Sequence, residues 1–260
     1  MNYEEFKAEI FKLSGINLTM YKEKQMKRRI DALILKHGYN SSYIDYVKGL
    51  KADTDLYNEF INYLTINVSE FYRNPEQWEV LKNEVFPLLL DNKRTQKIWS
   101  SACSTGEEPY TLVMSLADFM PLNNIKILAS DIDKEALRKA KAGIYNEKSL
   151  DKLPHKYILK YFDKAGDSYI VKDEVKNRVE FMQHNLLKDP YPDNCDLIIC
   201  RNVLIYFTEE AKHYVYRHFN KAMKANGVLF VGSTEQIIAA SSYCFTPLKT
   251  FFYKKTGEIS

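Results

Sequence analysis

No stretch of the 260-residue sequence approaches the roughly 18 consecutive apolar residues that a membrane-spanning helix requires. The first residues, MNYEEFKAEIF, are acidic and amphipathic and lack the pattern of a secretory signal. The expectation is a cytoplasmic protein with no membrane insertion. Cysteine is scarce: Cys103, Cys195, Cys200 and Cys244 lie scattered, with no CxxC pair, which reads as reduced, buried thiols and argues against zinc. Metal-ligand spacing is also lacking, since His213 and His218 stand five apart on one predicted helix and face different ways. Charge of one sign is lacking too. Lys and Arg number 37 against 34 Asp and Glu, a net charge of +3, which by itself gives no reason to expect nucleic acid. Nineteen tyrosines and fourteen phenylalanines could feed stacking surfaces but are more often core and rim. The GxGxxG fingerprint of dinucleotide sites is missing as well.

What the sequence does have is the stretch Lys97 to Pro109, KIWSSACSTGEEP. A short apolar run, small residues, a single glycine and then Glu107, Glu108 and Pro109 predict a buried strand, a tight turn and the first turn of a helix. Tyr110, Leu112, Val113, Leu116 and Ala117 continue at helical spacing. A second strand over Ile125 to Ala129 ends in Ser130-Asp131-Ile132-Asp133. This is a βαβ unit with an acid at the tip of its second strand, where nucleotide-binding units hold ribose hydroxyls. Gly106 and Asp131 are 25 residues apart, near the roughly 20 expected. A turn with one glycine and no phosphate partner suits a ligand with ribose and no phosphate, of which S-adenosylmethionine is the obvious candidate. An ordinary α/β turn with a surface aspartate fits the stretch equally well.

Along the chain, residues 1–66 read as an all-helical domain. Phe6, Ile10 and Leu13 form one stripe, and Met26, Ile30, Leu33 and Ile34 the next, with Asn17 or Thr19 as a cap between them. The run 22–36 holds six basic residues against two acids, either a solvated helix face or a docking surface for an acidic partner. Residues 67–75 break the helical pattern and read as a linker or ligand lid, with Arg73 able to pair with a carboxylate. One amphipathic helix is expected over Glu76 to Leu90. Residues 76–260 then form the ligand-binding domain, interrupted near 150–177 by an inserted hairpin around Lys164-Ala165-Gly166-Asp167. Core strands are expected at Arg178 to Gln183, Asp196 to Cys200 and Val228 to Val231, the last after an Asn226-Gly227 turn, with a terminal hairpin split at Pro247. The fold class is α/β, a doubly wound, mostly parallel sheet with a small helical N-terminal domain and an inserted antiparallel β-subdomain. Glu107, Asp131, Asn185 and Asn202 then converge at strand ends.

With those pieces placed, the chain resembles the chemotaxis receptor methyltransferase (CheR) family. The likeness is carried by NVSEFYR at 67–73, ACSTGEEPY at 102–110, ASDID at 129–133, HNLL at 184–187 and CRNVLIYF at 200–207, and it extends over essentially the whole chain. It implies a methyltransferase fold and S-adenosylmethionine-dependent methylation of glutamate side chains on chemoreceptor cytoplasmic helices, with S-adenosylhomocysteine as product. It further implies that Asn67, Ser69 and Arg73 close over the methionine end of the cofactor. Glu107 would hold the amino group and Asp131 the ribose. Asn185 with Leu186, and Asn202 with Val203, would line the adenine side and the floor. Tyr206 is the candidate for orienting the substrate carboxylate, although packing at a helix start explains it equally well. Lys24, Lys27, Arg28 and Arg29 would be the receptor-docking residues. The turn from Asp163 to Ser168, with only Gly166, is short beside those of members that tether a receptor C-terminal peptide, which argues against tethering here. A methyltransferase of another substrate and a non-catalytic adaptor that binds the cofactor or the receptor remain as alternatives.

Overall fold

Three of the four helices of the N-terminal region start on a polar side chain that satisfies their open N–H groups. Asn2 opens Tyr3–Ser14 with a reciprocal capping box: its side chain accepts from Glu5 N, and Glu5 Oε2 accepts from Asn2 N, both at 2.9 Å. Ser42 caps Tyr43–Ala52, and Asp53 caps Thr54–Thr65. Glu23–Lys36 has no side-chain cap, and Asn17 instead caps the short 3₁₀ turn Leu18–Met20. The expected cap is thus used one element early. Phe6, Ile10, Met26, Ile30, Ile34, Tyr46 and Phe60 are fully or almost fully buried and form the core of these helices.

The computed structural model describes residues 1–90 and 96–259. The chain divides into two units, Met1–Asn67 with Val203–Val215, and Val68–Asn202 with Tyr216–Ser260. Within the first, the 203–208 segment is tied to residues 20–22. Lys22 N donates to Tyr206 O and Thr208 N to Met20 O, each at 2.9 Å. The Tyr21 and Phe207 rings meet edge to face with centroids 5.1 Å apart.

Among its described residues the second unit carries ten strands: β1 Ile98–Ser100, β2 Ile127–Asp131, β3 Ile144–Asn146, β4 Phe162–Ala165, β5 Ser168–Val171, β6 Val179–Gln183, β7 Cys195–Cys200, β8 Met223–Val231, β9 Phe245–Lys249 and β10 Phe252–Lys255. Seven form one sheet in the order β6-β2-β1-β7-β8-β10-β9, and β3-β5-β4 form a small antiparallel sheet. The large sheet is parallel except for β10, which runs antiparallel to both neighbours. Every residue of β7 is buried, as a central parallel strand requires. Helix Glu107–Leu116 packs Tyr110 into the core with Ile98, Ile127, Leu197 and Phe230. Trp99 points to the opposite face, where it meets the rings of His184, Tyr191 and Phe219.

Local departures from the sequence expectations have physical causes. The helix expected over Glu76 to Leu90 is Pro75–Val80 and Phe86–Leu90 joined by a π-helical turn, Leu81–Val85. Asn226 adopts φ 65° inside β8, where the register against β7 shifts, so the Asn226-Gly227 pair forms an irregularity within the strand and not a turn before it. Pro247 sits inside β9, which pairs only with β10; an edge strand tolerates the missing N–H. In the small sheet β4 and β5 pair out to Ala165 and Ser168, leaving a two-residue connection.

Gly106 is constrained twice. Its φ is 97°, and an added Cβ would lie 2.9 Å from both Ala140 Cβ and Tyr145 Oη. Gly166 also has positive φ, 60°, but open space around it. Gly106→Ala is therefore expected to lower unfolding free energy by roughly 2–4 kcal/mol, the sum of backbone strain and overpacking. Gly166→Ala should cost about 1 kcal/mol, from the backbone alone. Urea unfolding of the two variants checks the difference, and equal midpoints would show that the Ala140–Tyr145 wall yields.

Candidate active site at the strand tips

The chain runs outward from β1 to β2 to β6, then returns to place β7 on the other side of β1. That reversal is a topological switch point, and in open α/β sheets ligands bind at the C-terminal ends of the strands there, here β1 and β7. The turn leaving β1 is stitched to both neighbours. Ser101 N donates to Ile199 O and Cys103 N to Ser130 O, each at 2.9 Å. Ser104, at φ 48°, turns its N–H onto Asp131 Oδ2 at 2.8 Å. Tyr145 Oη donates to Thr105 O at 2.7 Å. Helix Glu107–Leu116 begins directly after this turn.

Three carboxylates meet here. Asp131 is buried, and burial pushes its carboxyl up to about 6 despite N–H donors from Asp133 and Ser104 that pull it back. Glu107 is buried as well. Desolvation raises its carboxyl, opposed by the Thr105 hydroxyl and the Ser69 hydroxyl. Glu108 is also raised by burial, opposed mainly by the Arg201 guanidinium and the Ser100 hydroxyl, the latter 2.8 Å from Oε1. Carboxylates whose charged form is disfavoured by burial gain by accepting new hydrogen bonds, so the site favours a ligand that brings hydroxyl or ammonium donors.

The 68–74 segment approaches the same helix. Tyr72 N donates to Thr111 Oγ1, and Arg73 Nη1 to Val68 O at 3.1 Å. Tyr72 and Asn74 adopt φ 54° and 59°, uncommon for residues with side chains. The Arg73 carbonyl accepts from Trp78 Nε1 at 3.0 Å and from Arg201 Nη2 at 2.8 Å. Asn202, the residue after Arg201, has φ 62°, and its N–H donates to the buried Glu235 carboxylate at 2.5 Å. The same Glu235 oxygen accepts from Gly232 N at 2.9 Å.

The second unit therefore brings together Ser69, Arg73, Glu107, Asp131 and Asn202 through these contacts. Asn185 stands two residues past the end of β6. Its Oδ1 is occupied by Leu187 N at 2.9 Å, and its own N–H by Asp189 Oδ2 at 2.8 Å. Leu186 is buried, and its carbonyl accepts from Tyr191 Oη at 2.7 Å. Asn67, Val203 and Tyr206 belong to the first unit, where Asn67 Nδ2 donates to Thr65 Oγ1 and Tyr206 closes the 3₁₀ turn Leu204–Tyr206. Of the basic candidates in that unit, Lys24 and Arg28 are exposed. Lys27 pairs with Asp31 at 2.8 Å, and Arg29 both donates to Tyr63 O and lies over the Tyr63 ring. Cys103 is buried and its thiol is pushed well up by burial, which leaves it poorly nucleophilic.

Sequence reasoning passed over Glu108, Arg201 and Glu235 as site residues. Arg201 carried a signal: a charged residue directly after the six-residue buried strand β7 has to find partners. Glu235 carried none, because its partners lie 33 and 3 residues away.

Comparison with known proteins bears on the family. Residues 67–251 match the family model "CheR methyltransferase, SAM binding domain", and residues 1–65 match "CheR methyltransferase, all-alpha domain". The chain is 42% identical over 243 residues to a protein of Listeria innocua named chemotaxis protein methyltransferase, covering 93% of this chain and 92% of that one. Proteins of the same name from Borreliella burgdorferi and Escherichia coli K12 are each 34% identical, covering 86% and 87% of this chain and 83% and 81% of theirs. S-adenosylmethionine, the cofactor of that domain, brings a ribose diol, an ammonium and a carboxylate. Buried carboxylates at 107 and 131 and a guanidinium at 73 fit those groups, and the 101–106 turn, SACSTG, carries no basic side chain for a phosphate. The chain belongs to the CheR methyltransferase family.

Proposed function

We propose that this protein transfers a methyl group from S-adenosylmethionine to glutamate side-chain carboxylates on the cytoplasmic helices of chemoreceptors, acting in the cytoplasm. The observation that carries the reading is the pair of buried carboxylates, Glu107 at the start of the helix after β1 and Asp131 at the tip of β2, which are assigned to the amino group and the ribose of the cofactor. The names of the relatives, chemotaxis protein methyltransferases, support the same direction.

The residues divide the work by chemistry. Asp131 accepts from the ribose hydroxyls, Glu107 holds the ammonium, and Arg73 meets the carboxylate with a planar fork. Asn185 with Leu186, and Asn202, serve the adenine side and the floor. Asn67 and Val203 keep the cofactor roles that the family pattern gives them. The cofactor supplies an electrophilic sulfonium methyl. A glutamate carboxylate, with an ordinary pKa of about 4.3, is already ionised near neutrality, so no side chain has to remove a proton. The chain contributes in-line placement and exclusion of water. Tyr206 orients the substrate carboxylate through its hydroxyl.

Incubation with methyl-labelled S-adenosylmethionine and a purified receptor cytoplasmic fragment should leave label on the receptor that departs as methanol in mild alkali. Alkali-stable label would point to another acceptor atom. No label despite cofactor binding would favour a non-catalytic adaptor.

Asp131 gives the cofactor affinity a pH dependence of known sign. The ionised carboxylate accepts from two hydroxyls, whereas the protonated form must donate. Affinity for S-adenosylhomocysteine should be level above the Asp131 value of about 6 and fall about tenfold per pH unit below it. Asp131→Asn should bind weakly and remove that part of the slope. Calorimetry from pH 5 to 7.5 checks it, and a slope unchanged in the variant would assign the titration elsewhere.

Docking and chemistry should separate by mutation. Reversing Lys24 and Arg28, the exposed pair, should raise the KM for receptor several-fold with cofactor affinity unchanged. Tyr206→Phe should lower kcat with both affinities kept. Receptor kinetics alongside cofactor calorimetry distinguish the two, and unaltered kcat in Tyr206→Phe would remove Tyr206 from the reaction.

A further inference from the structure

Tyr72, just before Arg73, has φ 54°, a left-handed conformation that a bulky residue adopts only when its surroundings over-determine it, and Asn74, just after, has φ 59°, which asparagine tolerates better. The over-determination comes largely from one buried side chain. Arg201 is only 2% exposed along its side chain. Its Nη2 lies 2.8 Å from Arg73 O, 3.0 Å from Asn74 Oδ1 and 3.0 Å from Gln77 Oε1, three acceptors for two hydrogens. Its Nη1 stands 3.6 Å from Glu108 Oε2. The guanidinium carbon lies 4.8 Å from the centroid of the Phe230 ring and 5.8 Å from that of Trp78. Trp78 in turn donates to the same Arg73 carbonyl. Both donors on that carbonyl are thus fixed by packing, while the Arg73 side chain spends one N–H on Val68 O.

Building on the role of Arg73 given above, we propose that Arg201 is the positioning residue for the cofactor carboxylate: it does not touch the ligand, but locks the main chain of Arg73 so that the Arg73 fork is presented ready-made. The lock is directional, because a planar guanidinium can serve several acceptors at once beside aromatic rings, and an ammonium cannot. A neighbouring positive charge also favours an anion on Arg73. The two arginines interact unfavourably in the ligand-free protein, and a carboxylate relieves this. Arg201 therefore acts on one end of the cofactor and leaves the nucleoside end to Asp131 and Asn202.

The test compares two ligands that share the nucleoside and thioether. S-adenosylhomocysteine carries the amino-acid end, and 5′-methylthioadenosine lacks it. Calorimetric affinities are measured for the full-length wild type, Arg201→Gln, Arg201→Lys, Arg73→Gln and the Arg201→Gln/Arg73→Gln double variant. Wild type should prefer S-adenosylhomocysteine. Arg201→Gln and Arg201→Lys should each lose about 10- to 100-fold for that ligand, the worth of a hydrogen-bonded charge, with methylthioadenosine affinity within about twofold. The double variant should be no weaker than Arg73→Gln alone, since both changes remove one interaction. Trp78→Phe keeps a ring against Arg201 but removes its donor to Arg73 O. It should show the same selective loss, about 3- to 10-fold, and serves if the Arg201 variants do not fold. Equal weakening of both ligands would make Arg201 merely structural and overturn the proposal, as would an intact preference in Arg201→Gln. A wild type without preference would instead overturn the assignment of Arg73 to the carboxylate, and with it this inference.

Discussion

A buried guanidinium must be surrounded by acceptors, and the acceptors around Arg201 come from residues far from it in the chain, the 73–77 segment and Glu108. Arg73, Asn74 and Gln77 supply oxygens, Glu108 the countercharge, and Trp78 and Phe230 the apolar walls. Meeting the needs of this one group fixes the end of β7, the first turn of the helix after β1 and the 72–78 segment against each other. The adjacent Asn202 is fixed in the same way by an opposite charge, Glu235. Two successive residues at one strand tip are thus each tied down through a buried charged side chain, which holds the tip in place without a ligand.

Preorganisation has a cost that is visible in the backbone and in the carboxylates. Ser104, Tyr72, Asn74 and Asn202 adopt φ of 48°, 54°, 59° and 62° around the same strand tips. Each such residue is held at a cost of order 1–3 kcal/mol. Asp131, Glu107 and Glu108 are all shifted upward because burial removes water faster than the fold supplies donors. A ligand that brings donors relieves what folding left unsatisfied, and this is a physical reason for affinity that does not depend on buried area.

Much of this was legible in the sequence. The all-buried β7, the single-glycine turn before Glu107 and the acid ending β2 follow from apolar runs, a glycine with no room for a side chain, and the α/β rule for strand tips. The alternation of strands and helices gave the doubly wound class. Less legible were features set by distant partners. Glu235 looks like any loop glutamate until the N–H groups of Asn202 and Gly232 are placed on it. The cap expected before the second helix fell on a 3₁₀ turn because Asn17 can satisfy Thr19 locally, at 3.1 Å. Arg29 looked like a surface cation in a basic run, yet it donates to Tyr63 O and stacks on the Tyr63 ring, contacts that no periodicity reveals.

The helical unit is not contiguous in the chain: Val203–Val215 belongs with Met1–Asn67. Residues 20–22 give Lys22 N–H, Met20 carbonyl and the Tyr21 ring to Tyr206, Thr208 and Phe207. A fragment ending near residue 66 would leave those main-chain groups open and one aromatic face bare. An exchange of the N-terminal helices between relatives would meet the same defect at the join. The transferable module is therefore two segments of sequence, and a recombination that carries only the first transplants a surface without the strand-tip segment bonded to it.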